Sequence, residues 1–248
     1  MDLQKEFEIA GHKFTMMEFR DLAISALVLG FIFSIALSGF EYTTGGSIIV
    51  NYLISLVIVA PALILHELAH KFVAQNYGCK AGYVLWPTGV LIAVLVTILT
   101  NGRVIFAALG AVMISTHYPT RLGYRFVGLS SMENGKIAAS GPAVNIILAI
   151  ISYILMPLSP TIFQISATIN GIIALFNLIP FPPLDGSKIF GWSRIVWLSM
   201  LATAGVLLWL PGVIGIFWTL LIAILLVIVI FVLLNYFAPY HRPGAVYR

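Results

Sequence analysis

The stretch SIIVNYLISLVIVAPALILHELAH, residues 47–70, decides the fold. Residues 47–65 carry no charge, and about 20 apolar residues in an α-helix are enough to cross the hydrocarbon core of a bilayer. The same stretch ends on His66, Glu67 and His70, which are polar groups at the end of an apolar helix. We therefore predict a membrane helix over residues 47–74 that carries a polar site near its C-terminal end.

The composition of the whole chain agrees with a lipid environment. Of its 248 residues, 60% are hydrophobic and 9% are charged, and the mean hydropathy is +1.04. A water-soluble domain has about a quarter charged residues, so this class is excluded. The single cysteine, Cys79, excludes an intrachain disulfide and a cysteine-based metal site. We find no basic and aromatic patch that would indicate a nucleic-acid partner.

Two long charge-free stretches follow this helix along the chain. Residues 137–184 are broken by Pro157-Leu158-Ser159-Pro160, and residues 195–240 are broken by Pro211-Gly212. The sequence predicts a mainly α membrane protein, with one integral-membrane domain over residues 1–248 and residues 1–20 as a cytoplasmic lead. Six transmembrane helices are expected at about 21–40, 47–74, 137–157, 161–181, 194–210 and 213–237.

Residues 81–116 do not fit a spanning helix. The runs Val90–Thr100 and Val104–Ile114 are too short to cross, and Asn101-Gly102-Arg103 forms a hydrophilic turn between them. This segment is rich in Val, Ile and Thr, so we predict a β-hairpin or a re-entrant element. It would belong to a small membrane-associated β-sheet around residues 80–130, covered by helices because exposed sheet edges are not tolerated in lipid.

The basic residues give an orientation. With six helices and a non-spanning hairpin, all 13 lysines and arginines, Arg103 included, fall on one side of the membrane. The loops near 41–46, 157–160 and 210–213 hold none. Cytoplasmic loops are enriched in Lys and Arg, so we expect a multi-pass protein of the cell membrane with both termini and the polar site towards the cytoplasm.

The polar site has the spacing of a metal site. His66 and His70 are four residues apart, so both imidazoles lie on one helix face and can bind one metal ion. Glu67, beside the first histidine, has the position of a general base in such motifs. The alternative is a polar helix end at the membrane interface, where Lys71 and Gln75 also lie. Ionisable groups near bilayer depth favour the functional interpretation.

A catalytic zinc site usually has three protein ligands. The charge-free stretch 137–184 contains no acid and no histidine. The acid that follows it directly is Asp185, in NLIPFPPLDG at 177–186. The prolines there unwind the end of a predicted helix, which ends on the same side of the membrane as His70. Asp185 is therefore a candidate third ligand, although a turn or helix cap at a membrane exit is an alternative.

Three motifs together resemble a known family. They are HELAH at 66–70, SGPAVN at 140–145 and NLIPFPPLDG at 177–186, in this order. This arrangement is similar to the site-2 protease family of intramembrane zinc metalloproteases, and the similarity covers nearly the whole chain. The combination is specific, whereas the first motif alone is not. The chain resembles a minimal core of the family, without an inserted soluble domain.

The resemblance implies Zn²⁺ bound by His66, His70 and Asp185, with Glu67 as the catalytic base. It implies that Asn145 hydrogen-bonds the substrate backbone or stabilises the oxyanion. A similar polar role follows for Asn177, although both asparagines could instead form hydrogen bonds between helices.

The implied activity is hydrolysis of peptide bonds within or near transmembrane segments. Its partners would be a transmembrane protein or peptide substrate and the lipid bilayer. A strand edge near 81–116 could hold the unwound substrate by strand addition. The main alternative is an ion or proton transporter that uses buried His and Asp, but internal repeats typical of transporters are not seen in the sequence. An inactive homologue and an enzyme acting on lipid or prenyl-protein ends are further alternatives.

Overall fold

The structure is a computed structural model that describes residues 6–9, 11–38, 48–120, 123–209, 211–215, 218–219, 221–223, 225–226, 228–229 and 232. Its strands are β1 Glu6–Ile9, β2 His12–Thr15, β3 Lys80–Leu85, β4 Gly110–Ser115, β5 His117–Thr120 and β6 Gly123–Phe126. Its helices are α1 Met16–Ser38, α2 Ile48–Asn76, α3 Pro87–Leu99, α4 Ser131–Leu155, α5 Pro160–Asn177, α6 Asp185–Trp192, α7 Arg194–Trp209 and α8 Pro211–Ile214. The mainly helical fold with small β-hairpins agrees with the prediction.

Three helices in the described ranges are long and apolar enough to cross a membrane. These candidate spans are Met16–Leu37, Ile49–Asn76 and Ser131–Leu158, whereas α3 and α7 are apolar but shorter. Their length and composition indicate a membrane protein, although six spans were predicted. The predicted helix at 213–237 lies partly outside the described residues, as do the ends of the predicted lead and of helix 21–40.

Two helices begin earlier than predicted because polar residues belong to their first turns. Helix α4 begins at Ser131, where the Ser130 side chain and Glu133 form a reciprocal capping box. Helix α1 begins at Met16, and the Oγ1 of Thr15 accepts a hydrogen bond from the backbone N–H of Glu18. Polar and charged residues at these positions suggested loops in the sequence, but here the hydroxyls of Ser130 and Thr15 accept free N–H groups of the helix ends.

The apolar core has two large clusters that share one helix. The first contains residues of α1, α2, α3 and the segment 105–109, packed against α5. The second contains residues of α4, α5, α6 and α7. Because α5 contributes to both clusters, and α2 packs against both α1 and α4, the helices form one continuous core.

Strands β3 and β4 pair in antiparallel fashion from Lys80↔Ser115 to Leu85↔Gly110, so this part of the predicted β-element is correct. Of the two predicted alternatives, a β-hairpin and a re-entrant element, the hairpin was wrong for the residues between them, because Val90–Leu99 belongs to helix α3 rather than to a strand. Pro87 occupies its first turn, where the missing N–H is not needed. A helix satisfies its own backbone hydrogen bonds in lipid, whereas an unpaired apolar strand does not.

The turn after α3 reaches the far end of α1. Gly102 has φ +74°, and a Cβ there would lie 2.7 Å from the Cα of Ala36, close to the C-terminal end of α1. Strand β3 lies by the opposite end of α1, since the backbone N–H of Tyr83 donates to Glu18. The turn before Arg103 therefore lies by the opposite end of α1 from β3, whereas the sequence grouped Arg103 with Lys80 and the other basic residues.

Side chains of α1 cover the outer edge of β3. The Glu18 carboxylate accepts the N–H of Tyr83 at 3.2 Å, and the Asp21 carboxylate accepts the N–H of Leu85 at 3.2 Å. Glu18 also forms a buried ion pair with Lys71 of α2, with an N–O distance of 2.6 Å. These contacts satisfy an edge that would otherwise present unpaired donors, and they connect α1 to both the sheet and α2.

The position of Arg103 gives a testable topology. In a Cys79→Ala background, single cysteines at Lys80 and at Arg103 are treated with a membrane-impermeant maleimide in sealed vesicles. Because the two positions lie beside opposite ends of α1, we expect the reagent to label one of them in intact vesicles and the other only after permeabilisation. Labelling of both positions in intact vesicles would contradict this placement of α3.

Candidate metal centre

Helix α2 carries His66, Glu67 and His70 inside the helix bundle. Their exposed fractions are only 3%, 7% and 6%. The four-residue spacing brings the two imidazole rings together, with 4.7 Å between the ring centroids. The sequence predicted these residues near the C-terminal end of a helix over residues 47–74, and α2 holds them there and continues to Asn76.

Asp185, the first residue of α6, completes a cluster of three ligand atoms. Its Oδ2 lies 2.9 Å from the Nε2 of His70 and 3.4 Å from the Nε2 of His66, and the two Nε2 atoms are 3.1 Å apart. Atoms about 2.0–2.1 Å from a tetrahedral zinc ion lie roughly 3.3 Å from one another. The three atoms therefore fit one zinc ion with little rearrangement.

A proline-rich turn delivers Asp185 to this position. Helix α5 ends at Asn177, and Pro180, Pro182 and Pro183 follow it, so the helix cannot continue. The carbonyl of Leu178, at the start of the turn, accepts a hydrogen bond from the indole N–H of Trp197 at 2.7 Å. The turn is thus fixed to α7, and α6 starts beside the imidazoles.

The charge state of Asp185 suits a ligand. Burial raises the pKa of its carboxyl group, since the side chain is only 12% exposed, but the His70 and His66 imidazoles outweigh burial and leave the pKa below its ordinary value. The remaining oxygen, Oδ1, lies 3.8 Å from the Nζ of Lys188. Asp185 is therefore held as a carboxylate that can bind a cation.

The second nitrogen of each imidazole has its own partner. The Nδ1 of His66 lies 2.5 Å from the Oδ1 of Asn145, and the Nδ1 of His70 lies 2.7 Å from the carbonyl of Ile137. Both partners are on α4. Outer hydrogen bonds of this kind orient histidine ligands in metal sites, so both Nε2 atoms are directed at the cluster.

Helix α4 approaches the cluster through Gly141. A Cβ on this residue would lie 2.3 Å from the Nε2 of His70 and 2.6 Å from the Nε2 of His66. Any side chain at this position would therefore occupy the space beside the ligand atoms. The sequence contained Gly141 within a recognised motif but did not indicate this steric role.

Glu67 differs from its neighbours in having an unpaired oxygen. Within the described ranges its Oε2 is buried and has no hydrogen-bond partner. An unpaired polar atom is costly in an apolar interior and favours a functional explanation. A carboxylate in this position, beside three groups that could hold a metal ion, can accept a proton from a water molecule.

A cavity of about 380 Å³ opens beside the cluster. Its polar lining includes His66, Glu67, His70, Asp185 and Asn177. Its apolar lining includes Leu29, Leu63, Trp86, Ala107 and Ile173. Residues 110–114 of β4 form a further wall. Its volume lies in the range of pockets that hold an organic ligand, and polar groups occupy only part of its apolar lining.

The two predicted asparagines lie in different surroundings. Asn145 is fully buried, and its amide contacts His66, Asn170 and the carbonyl of Ala62. Asn177 lines the cavity, and its Nδ2 donates to the carbonyl of Ile173 at 3.0 Å. Asn170 was not predicted as a site residue, although an amide inside an apolar helix two turns before Asn177 is a visible signal in the sequence.

Two curated proteins are similar to this chain. "Putative zinc metalloprotease MJ0611" of Methanocaldococcus jannaschii is 34% identical over 191 residues, which cover 75% of this chain and 89% of that protein. "Putative zinc metalloprotease YwhC" of Bacillus subtilis is 28% identical over 164 residues, which cover 56% of this chain and 67% of that protein. No protein-family model and no solved structure matches the chain.

Proposed function

Because this chain belongs to the same family of zinc metalloproteases as the Methanocaldococcus jannaschii protein, we propose that it is an intramembrane zinc endopeptidase of the site-2 protease type. Its cofactor is zinc. The reaction is hydrolysis of a peptide bond within or near a transmembrane segment of a protein substrate. One observation carries the proposal. His66 and His70, on a helix long and apolar enough to span a membrane, meet Asp185 of α6 in a group that could hold a metal ion.

In this proposal His66, His70 and Asp185 hold the zinc ion. When bound, zinc supplies Lewis acidity that polarises a peptide carbonyl and makes water nucleophilic near neutral pH. Three protein ligands leave a fourth position open, which is the usual arrangement of a catalytic rather than a structural zinc site. The adjoining cavity gives a peptide access to that position.

Glu67 is the general base. Its carboxylate accepts a proton from the attacking water as the water oxygen bonds to the scissile carbonyl carbon. Glu67 then donates this proton to the amine nitrogen as the carbon–nitrogen bond breaks, so the base returns to its starting state. The buried, unpaired Oε2 of Glu67 supports this role, because no other described group competes for it.

We propose that Asn177 contacts the substrate. It lines the cavity that also reaches Glu67 and Asp185, so its amide can meet a peptide backbone there. Asn145 instead contacts His66, Asn170 and the carbonyl of Ala62. The proposal of a transporter rests on the same buried His and Asp groups but has no support from the family of the relatives.

The substrate would lie extended along the free edge of β4. Successive residues of an antiparallel strand direct their backbone groups to opposite edges. Tyr83 and Leu85 donate to α1 carboxylates, away from β4, so their paired residues Val112 and Gly110 point their backbone groups away from β3. This outward edge of β4 borders the cavity, and an added strand would place a peptide bond beside the ligand cluster.

For the whole chain we propose a single multi-pass domain of the cell membrane, with both termini and the zinc centre towards the cytoplasm. The distribution of lysine and arginine supports this orientation, with Arg103 as an exception. The shared core around α5 supports one domain. The substrate is then a membrane protein whose segment enters the cavity from the bilayer.

Replacement of the base tests the reaction. We expect Glu67→Gln to lower cleavage of a model transmembrane substrate by roughly 10²–10⁴-fold, since the amide cannot accept the proton. Bound zinc should remain, because Glu67 is not a ligand. Purified protein in detergent is assayed for cleavage and for zinc content, with chelator-treated wild type as a reference. Ser55→Ala, in the same helix, is the control for a buried polar change. Equal turnover by wild type and Glu67→Gln would reject this mechanism.

A proline on β4 tests the docking edge. Val112→Pro removes an outward N–H from an edge strand, where proline is tolerated, and we expect lower cleavage of a transmembrane substrate. Val112→Ala is the matched control, because it loses the side chain but keeps the N–H. Zinc content and thermal stability are measured for both. The idea fails if both variants cleave at the same rate while both are folded and loaded with zinc.

A further inference from the structure

We infer that Asn145 is a positioning residue for zinc, which fixes the ring orientation and tautomer of His66 through a hydrogen-bond chain that starts at a backbone carbonyl of α5. The inference rests on the proposed metal centre. It assigns Asn145 a role other than binding the substrate or the oxyanion. Asn170, which the sequence analysis did not select, becomes a part of the same arrangement.

The geometry of His66 requires a hydrogen-bond acceptor at its outer nitrogen. Its Nε2 faces the Nε2 of His70 and the carboxylate of Asp185, so this nitrogen must keep its lone pair to bind a cation. The proton of the neutral ring must then lie on Nδ1. The atom 2.5 Å from Nδ1 belongs to the amide of Asn145, and only its oxygen can accept that proton.

The other contacts of Asn145 decide which way its amide points. Its nitrogen lies 3.1 Å from the carbonyl oxygen of Ala62 and 3.0 Å from the Oδ1 of Asn170. These two acceptors use both amide hydrogens. The reverse orientation would bring the Asn145 oxygen against two oxygens and leave an NH₂ group facing His66. The oxygen of Asn145 is therefore held towards His66.

Asn170 is fixed in the same way. Its Nδ2 donates to the carbonyl of Ser166 at 2.9 Å, and a backbone carbonyl can only accept. The Oδ1 of Asn170 must then face Asn145. The backbone carbonyls of Ser166 and Ala62 thus set the direction of every hydrogen bond from Asn170 through Asn145 to His66, and these three side chains are buried.

The contacts of Asn145 leave it no free N–H group to donate to a substrate or an oxyanion. Its oxygen accepts from His66 and both of its N–H groups are donated, and the residue is 0% exposed. His70 needs no equivalent side chain, because the carbonyl of Ile137 accepts its Nδ1 proton. The orientation of His66 therefore depends on a side chain, whereas that of His70 depends on the backbone.

The zinc affinity of Asn145 variants tests whether Asn145 positions His66. Loss of an outer partner of a histidine ligand lowers metal affinity by about 10–100-fold. The full chain is purified in detergent, and its zinc affinity is determined by competition with a chromophoric chelator. We expect Asn145→Leu, which has the same number of side-chain heavy atoms but no acceptor, to bind zinc about 10–100-fold more weakly. Asn145→Asp retains an acceptor for His66 but sets its second oxygen against the carbonyl of Ala62 and the Oδ1 of Asn170, so it should recover only part of the affinity lost in Asn145→Leu.

Two controls separate positioning from general loosening. Ser152 on α4 hydrogen-bonds Ser166 on α5 at 2.8 Å, so Ser152→Ala breaks a contact between the same helices away from zinc and should leave zinc affinity unchanged. Asn177→Leu should also leave zinc affinity unchanged while lowering cleavage. If Asn145→Leu does not fold, Asn170→Leu leaves Asn145 in place but removes one of the two acceptors that hold its amide, and should weaken zinc binding several-fold.

Each outcome is informative. The inference is overturned if Asn145→Leu, or Asn170→Leu in its place, binds zinc within twofold of the wild type, or if Ser152→Ala weakens zinc binding equally. A wild-type protein that binds no zinc would instead reject the metal centre and the proposed function. Zinc binding by the wild type without proteolysis would reject the proposed activity but leave the role of Asn145 in place.

Discussion

Two imidazole nitrogens and one carboxylate oxygen lie within 3.4 Å of one another in the interior of an apolar helix bundle. Such groups are costly to remove from water unless they share a cation and have their other polar atoms paired. This requirement explains the surrounding construction. Helix α2 supplies both imidazoles, the proline-rich turn brings in Asp185, and α4 can approach only because Gly141 has no side chain. The hydrogen bonds of α4 then orient both rings.

Much of this centre follows from local sequence rules. The four-residue spacing of His66 and His70 needs only helical periodicity, and Asp185 was found because the charge-free helices contain no other acid. The contacts of Asn145 could not be predicted in this way. Whether its amide faces a substrate or His66 depends on the rotation of α4 against α2 and α5, and a single sequence does not specify helix rotation.

The β-element shows a second limit of prediction. The strands were recognised from their Val, Ile and Thr content, but the run from Val90 to Leu99 has the same composition and is helical. Short apolar runs do not distinguish strand from helix by pattern alone. The covered edge of β3 was likewise not visible, because Glu18 and Asp21 read as charges before a membrane helix. In the structure these carboxylates satisfy β3 and leave β4 as the edge beside the cavity.

The binding of one zinc ion by two histidines and one carboxylate is tested most directly by the zinc K-edge X-ray absorption spectrum of the purified full chain. We expect about four nitrogen or oxygen ligands at about 2.0–2.1 Å, with the outer-shell scattering of two imidazole rings. A spectrum with a sulfur ligand at about 2.3 Å, or one without imidazole scattering, would contradict the centre described for His66, His70 and Asp185.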